Sequence, residues 1–135
     1  FKKLNFPWIT PSGIFTKRGD AHIVLKSEEI AIDLDNVAQD LDEAKKKLIN
    51  DPVFKTDLLF VSPSGKGLKW FTSIDLKMYT HKEWYTIIAN YIREKYGLEA
   101  DMTCSDVSRA CFLCHDPKAY ASSEILNHIK NERKN

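Results

Sequence analysis

The chain has 135 residues, 43% of them hydrophobic and 29% charged, with a formal net charge of +1. That length suits one domain, residues 1–135, with room for a buried core but not for two ordinary domains. A balance so near neutral excludes a global field that recruits nucleic acid or membrane, so polyanion binding must come from local patches.

The apolar runs at 30–32 and 58–61 are far too short to cross a bilayer, and no signal-peptide pattern is present. The chain opens on Phe1 rather than a methionine, which predicts a piece of a longer protein. Three cysteines, an odd count, with no export signal predict a reducing, cytoplasmic location.

In chain order, residues 6–15 carry two prolines and a glycine and read as an irregular lead-in. Strands are predicted at 22–25 and 29–34, joined by a turn around Ser27. In the second, Ile30, Ile32 and Leu34 alternate with Ala31, Asp33 and Asp35, so a period of two puts both aspartates on one face. Asn36 is placed to cap a helix whose apolar positions are Val37, Leu41, Ala44 and Leu48. Its acids come early and its lysines late, as the helix dipole favours, and 50–52 stops it. A strand at 58–61, a turn at 62–67 and a strand at 68–74 follow. Thr80 and Glu83 then form a capping box for a helix with an apolar stripe of Trp84, Ile87, Ile88, Tyr91 and Ile92, ended by Gly97. A last strand at 110–113 and a terminal helix at 123–130 complete the chain. The order β-α-β-β-α-β predicts an α+β fold. It is an RRM-like, split βαβ antiparallel sheet with an extra N-terminal strand, helices on one face and the other face open.

Three places carry candidate chemistry. Asp33 and Asp35 project from one strand face about 7 Å apart, where they suit a hard cation. Asp35 equally suits a turn or helix cap, whereas Asp33, inside an apolar strand, has no local role. The turn running from Ser64 through Gly65, Lys66, Gly67 and Leu68 to Lys69 has glycines for close backbone approach and lysines for phosphate. It also reads as a plain glycine turn, and it is not a P-loop, which would need glycine at Phe60 and Ser or Thr at Gly67. Asp101, Asp106 and Arg109 lie between the second helix and the last strand, where solvated loop residues are equally at home.

Cys111, Cys114 and His115 match the c-type haem spacing, and Cys104 would complete a Cys₃His zinc set. Haem attachment of that kind requires export, and 111–113 reads as a strand, so we expect neither group. The scattered His22, His81, His115 and His128 form no His-x-His pair. Neither a Gly-x-Ser-x-Gly elbow nor a Gly-x-Gly-x-x-Gly loop occurs.

Taken in order, the three places resemble the motifs of the archaeo-eukaryotic primase superfamily. The run Ile30, Ala31, Ile32, Asp33, Leu34, Asp35 resembles the first motif, and residues 62–69 the second. Residues 98–101 with Asp106, Val107, Ser108 and Arg109 resemble the third motif and the downstream segment of mobile-element primases. More narrowly, residues 11–120 are similar to the N-terminal domain family of Bacteroidetes primase-like and virulence-associated E proteins.

The resemblance implies a primase/polymerase-type nucleotidyltransferase, with two-metal transfer of a nucleotide to a 3′-hydroxyl in replication of chromosomal or mobile-element DNA. Asp33, Asp35 and Asp101 would be its catalytic metal ligands for Mg²⁺ or Mn²⁺, their carboxylates converging within about 7 Å. Ser64, Gly65, Lys66, Lys69 and Arg109 would surround the nucleotide's phosphates. The implied partners are a DNA template, nucleoside triphosphates and a helicase or other replication domain, with no membrane. Lys69 departs from the second motif, which ends in histidine. The alternative is a catalytically silent RRM-like module that binds nucleic acid or nucleotide, with Phe71 as a stacking platform.

Overall fold

The computed structural model describes residues 8–9, 11, 13–15, 23–35, 37, 40–105, 111–112 and 116–134. The strands are β1 (Trp8–Ile9), β2 (Gly13–Phe15), β3 (Ile23–Lys26), β4 (Glu29–Leu34), β5 (Thr56–Val61), β6 (Leu68–Ser73), β7 (Cys111–Phe112) and β8 (Tyr120–Ala121). The helices are α1 (Leu41–Ile49), α2 (His81–Tyr96) and α3 (Ser123–Lys134), with a 3₁₀ turn at Met102–Cys104.

The main sheet has four antiparallel strands in the order β4-β6-β5-β8. Strand β6 separates β4 from β5, and α1 crosses between those two, which is the split βαβ arrangement of an α+β fold. Two details differ from the sequence expectation. The fourth strand is β8, beside β5, whereas β7 in the expected 110–113 segment pairs with β1 in a separate ladder. The extra N-terminal strand β3 likewise pairs with β2 in a ladder of its own. Ladders of two or three residues are too short to carry a readable period, and their partners are set by tertiary contacts.

One face of the sheet is the core. Ile30, Ile32, Leu34, Leu59, Leu68 and Trp70 pack with Ala44 and Leu48 of α1 and with Tyr85, Ile88 and Ile92 of α2. The polar atoms inside it are paired: Trp70 Nε1 donates to Thr56 Oγ1 at 2.8 Å, and that hydroxyl donates to Leu48 O at 2.9 Å. Helix α2 carries the expected capping box at Thr80 and Glu83 and ends on Gly97 in the left-handed conformation. Its buried stripe runs through Tyr85, Ile88, Ala89 and Ile92, while Trp84, Ile87 and Tyr91 sit half-buried at its margin.

The opposite face is not open. Phe60 and Phe71 are each 4% exposed and stack on one another with Ala31 and Leu58 around them. Phe71 therefore has no free ring face to offer a base. Helix α1 begins at Leu41, with Asp40 at its N-cap, rather than at Val37, whose N–H donates to Lys66 O at 2.9 Å. Asp35 therefore does not cap α1. Among the described residues no helix is long and apolar enough to cross a membrane.

Glu29 and Asp57 meet on the second face, at the end of β4 away from Asp33. Ser73 Oγ lies 3.3 Å from Glu29 Oε2 and 2.7 Å from Asp57 Oδ2. Burial, then the Asp57 charge and its hydrogen bond, push Glu29 up to about 8 from an ordinary 4.5. The folded state thus holds a proton that the unfolded chain releases, so stability is greatest below about 4.5 and falls as pH rises through about 8. Glu29→Gln, which mimics the protonated carboxyl, should melt with the wild type at pH 5. At pH 9 it should melt about 3–5 °C higher, as about 1 kcal/mol would give after solvent screening. Parallel melting curves for the two proteins from pH 5 to pH 9 would contradict this.

Candidate functional site

Asp33 belongs to β4, and the strand's alternation sets its direction. Ile32 and Leu34 on either side are fully buried in the core, so Asp33 points to the other face. Lys69 stands directly opposite it in the β4–β6 register, flanked by fully buried Leu68 and Trp70. The two form an ion pair with Lys69 Nζ 2.5 Å from Asp33 Oδ2. Asp33 Oδ1 is buried and has no hydrogen-bond partner among the described residues. An orphaned carboxylate oxygen is costly to bury, and it suits a bound cation.

The chain returns to this point after α2. Ala100 bridges Leu34 along the free edge of β4, and Asp101 N donates to Asp33 O at 2.8 Å. Tyr85 completes the junction. Its hydroxyl donates to Asp101 O at 2.7 Å and lies 3.5 Å from Asp33 N, at the outer limit of a hydrogen bond. Burial raises the Tyr85 pKa, so the hydroxyl keeps its proton. Asp101 then starts the 3₁₀ turn, its Oδ1 accepting from Thr103 N at 2.9 Å and Thr103 Oγ1 at 2.6 Å. That turn swings Cys104 back, with Sγ 3.4 Å from Asp33 Oδ2 and 3.5 Å from Asp101 Oδ2.

Asp33, Asp101 and Cys104 therefore each offer a ligand atom, all within 4.8 Å of one another, a spacing that one cation can bridge. Asp35 is exposed and outside this trio, but its side chain hydrogen-bonds Asp101. Partial loss of solvation and the adjoining Asp33 charge raise the Asp35 pKa. The Thr103 hydroxyl, and the hydrogen bonds from Cys104 and Asp35, hold Asp101 below the usual carboxylate range. Asp35 is thus the weaker acid of this hydrogen-bonded pair and Asp101 the stronger. Two carboxylates suit a hard cation such as Mg²⁺ or Mn²⁺, and the thiol adds a softer donor.

The glycine turn lies at the same end of the sheet. Gly65 has φ +76°, and Gly67 is pressed so close to β4 that a Cβ there would lie 2.4 Å from Leu34 O. Ser62 braces the loop: its N–H donates to Gly67 O at 2.9 Å and its Oγ accepts from Gly67 N at 3.1 Å. Ser64, Gly65 and Lys66 are exposed, whereas Lys69 is engaged by Asp33. A cleft of about 470 Å³ opens beside the carboxylates, lined by Asp35, Val37, Leu98, Ala100, Asp101 and Met102, among others. Arg109 and Asp106 lie outside the described residues, as do Cys114, His115 and the side chain of Cys111.

Sequence reasoning did not find Cys104 or Tyr85 as members of this site. The one available signal for Cys104 is its spacing of three from Asp101, a single tight turn. Tyr85 carries no signal, since its role depends on where the chain after α2 lands.

Residues 1–120 match the family described as BT4734-like, N-terminal domain, and the chain belongs to that family. No curated protein and no solved structure matches the chain.

Tyr85→Phe removes the hydroxyl that bridges Asp101 and Asp33 while keeping the ring. It should cost about 1–2 kcal/mol in urea unfolding, the penalty of a buried carbonyl losing its donor. Stability equal to the wild type would show that the bridge contributes nothing to the junction.

Proposed function

We propose that this BT4734-like N-terminal domain is the catalytic core of a primase/polymerase-type nucleotidyltransferase. It transfers a nucleotide to a 3′-hydroxyl during replication of chromosomal or mobile-element DNA. The observation that carries this reading is the meeting of Asp33 with Asp101 and Cys104, the last of these 71 residues further along the chain. A half-buried carboxylate in an apolar strand is costly unless it is paired, and the Lys69 ammonium serves only one of the two Asp33 oxygens.

Asp33 and Asp101 hold divalent Mg²⁺ or Mn²⁺, and Asp35, next to Asp101, extends the acidic edge toward the cleft. When bound, the cation supplies Lewis-acid activation of the attacking oxygen and charge compensation at the departing pyrophosphate. Ser64 and Lys66 present a hydroxyl and an ammonium, and Gly65 adds no side chain to block them, where a triphosphate would lie along the turn. Lys69 adds positive charge at the carboxylates. Arg109, as the resemblance implies, supplies a planar fork for phosphate oxygens. The cleft beside Asp35 and Asp101 is the natural entry for the nucleotide. The DNA template, the nucleoside triphosphates and a helicase or other replication domain of a longer protein are the partners of this reading. The silent, stacking alternative is the weaker one, because Phe71 is buried.

Incorporation of labelled nucleotide on a primed DNA template should require Mg²⁺ or Mn²⁺. Asp33→Asn and Asp101→Asn should each lower it by at least about 100-fold, while Lys82→Ala, an exposed cation on α2, leaves it unchanged. Incorporation that survives in both aspartate variants sinks the proposal.

A further inference from the structure

Lys69 bears on how many cations the carboxylates can hold. The sheet fixes its position: Lys69 faces Asp33 across the β4–β6 ladder, and fully buried Leu68 and Trp70 lock the strand on either side. Its ammonium lies 2.5 Å from Asp33 Oδ2, and the two side chains are only 17% and 15% exposed. A pair so enclosed is not a loose surface contact that water and salt dissolve. It divides the Asp33 carboxylate, with Oδ2 taken by the ammonium and Oδ1 buried without a partner.

We infer that Lys69 is a tethered cation occupying the place of a second divalent ion, so that the site takes one ion, on Asp33 and Asp101 beside the Cys104 thiol, and not two. The inference rests on the metal-binding part of the reading above. Charge supports it. Asp33, Asp35 and Asp101 carry at most three negative charges between them. One divalent ion with the Lys69 ammonium balances three, whereas two divalent ions with that ammonium would leave a surplus of two positive charges in a partly buried site. Geometry agrees. The ammonium holds Asp33 Oδ2, which leaves Oδ1 as the one oxygen of that carboxylate without a partner among the described residues, enough for one ion.

Counting bound Mn²⁺ on the full chain tests this, with electron paramagnetic resonance reading the free ion in the absence of nucleotide. The wild type and Lys69→Arg, which keeps the charge, should each bind one Mn²⁺. Lys69→Met should bind two, the first about tenfold more tightly because a like charge has gone. Where circular dichroism finds Lys69→Met unfolded, Lys69→Gln takes its place. Two ions on the wild type would overturn the tethered-cation role and leave the metal-dependent reading standing. One ion of unchanged affinity on all the proteins would overturn it too. No bound Mn²⁺ on any of them would overturn the inference and the metal site together.

Discussion

A single backbone hydrogen bond, from Asp101 N–H to Asp33 O at 2.8 Å, decides where the acidic cluster of this protein assembles. Such a bond contributes only about 1 kcal/mol of net stability. Its importance is geometric, because it fixes the chain after α2 to the edge of β4 at the residue that points an acid away from the core. The Leu34–Ala100 bridge sets the register of that contact, and the Tyr85 hydroxyl ties off Asp101 O. With the register fixed, the Asp101 carboxylate and the Cys104 thiol are delivered beside Asp33 by one tight turn.

The same end of the sheet gathers the other polar parts. Gly67 sits against Leu34 O where no side chain fits, which draws the serine-glycine turn onto β4. The Val37–Lys66 hydrogen bond then holds Val37 against that turn. The cleft opens between Val37 and residues 98–102. Packing at the core face and chemistry at one sheet end are therefore separable in space. The fully buried Ile32, Leu34, Leu68 and Trp70 position Asp33 and Lys69 without touching what those residues would bind.

Much of the frame was legible because it is written in local patterns. The alternation of Ile30, Ile32 and Leu34 with Asp33 gave the strand and its two faces, and Thr80, Glu83 and Gly97 gave both ends of α2. Pairing that depends on distant partners was not legible. Nothing in Tyr120–Ala121 announces the fourth strand, and nothing in Cys111–Phe112 announces a partner in Trp8–Ile9. The second face of the sheet looked free because alternation says which way Phe71 points, not what covers it. At the site, Asp33 on β4 and Asp35 just beyond it could be read from spacing. Their neighbours Cys104 and Tyr85 could not, since both arrive through the fold. The Lys69–Asp33 pair lay between these cases: alternation put both side chains on one face, and the cross-strand register made them partners.

The central claim is that Asp33 and Asp101 jointly hold a divalent cation beside the Cys104 thiol. Anomalous X-ray scattering from crystals soaked in Mn²⁺ addresses it most directly. The account predicts a manganese peak in direct contact, about 2.0–2.3 Å, with carboxylate oxygens of both Asp33 and Asp101. A manganese peak bound elsewhere, or none at this junction in crystals that take up the metal, would contradict it.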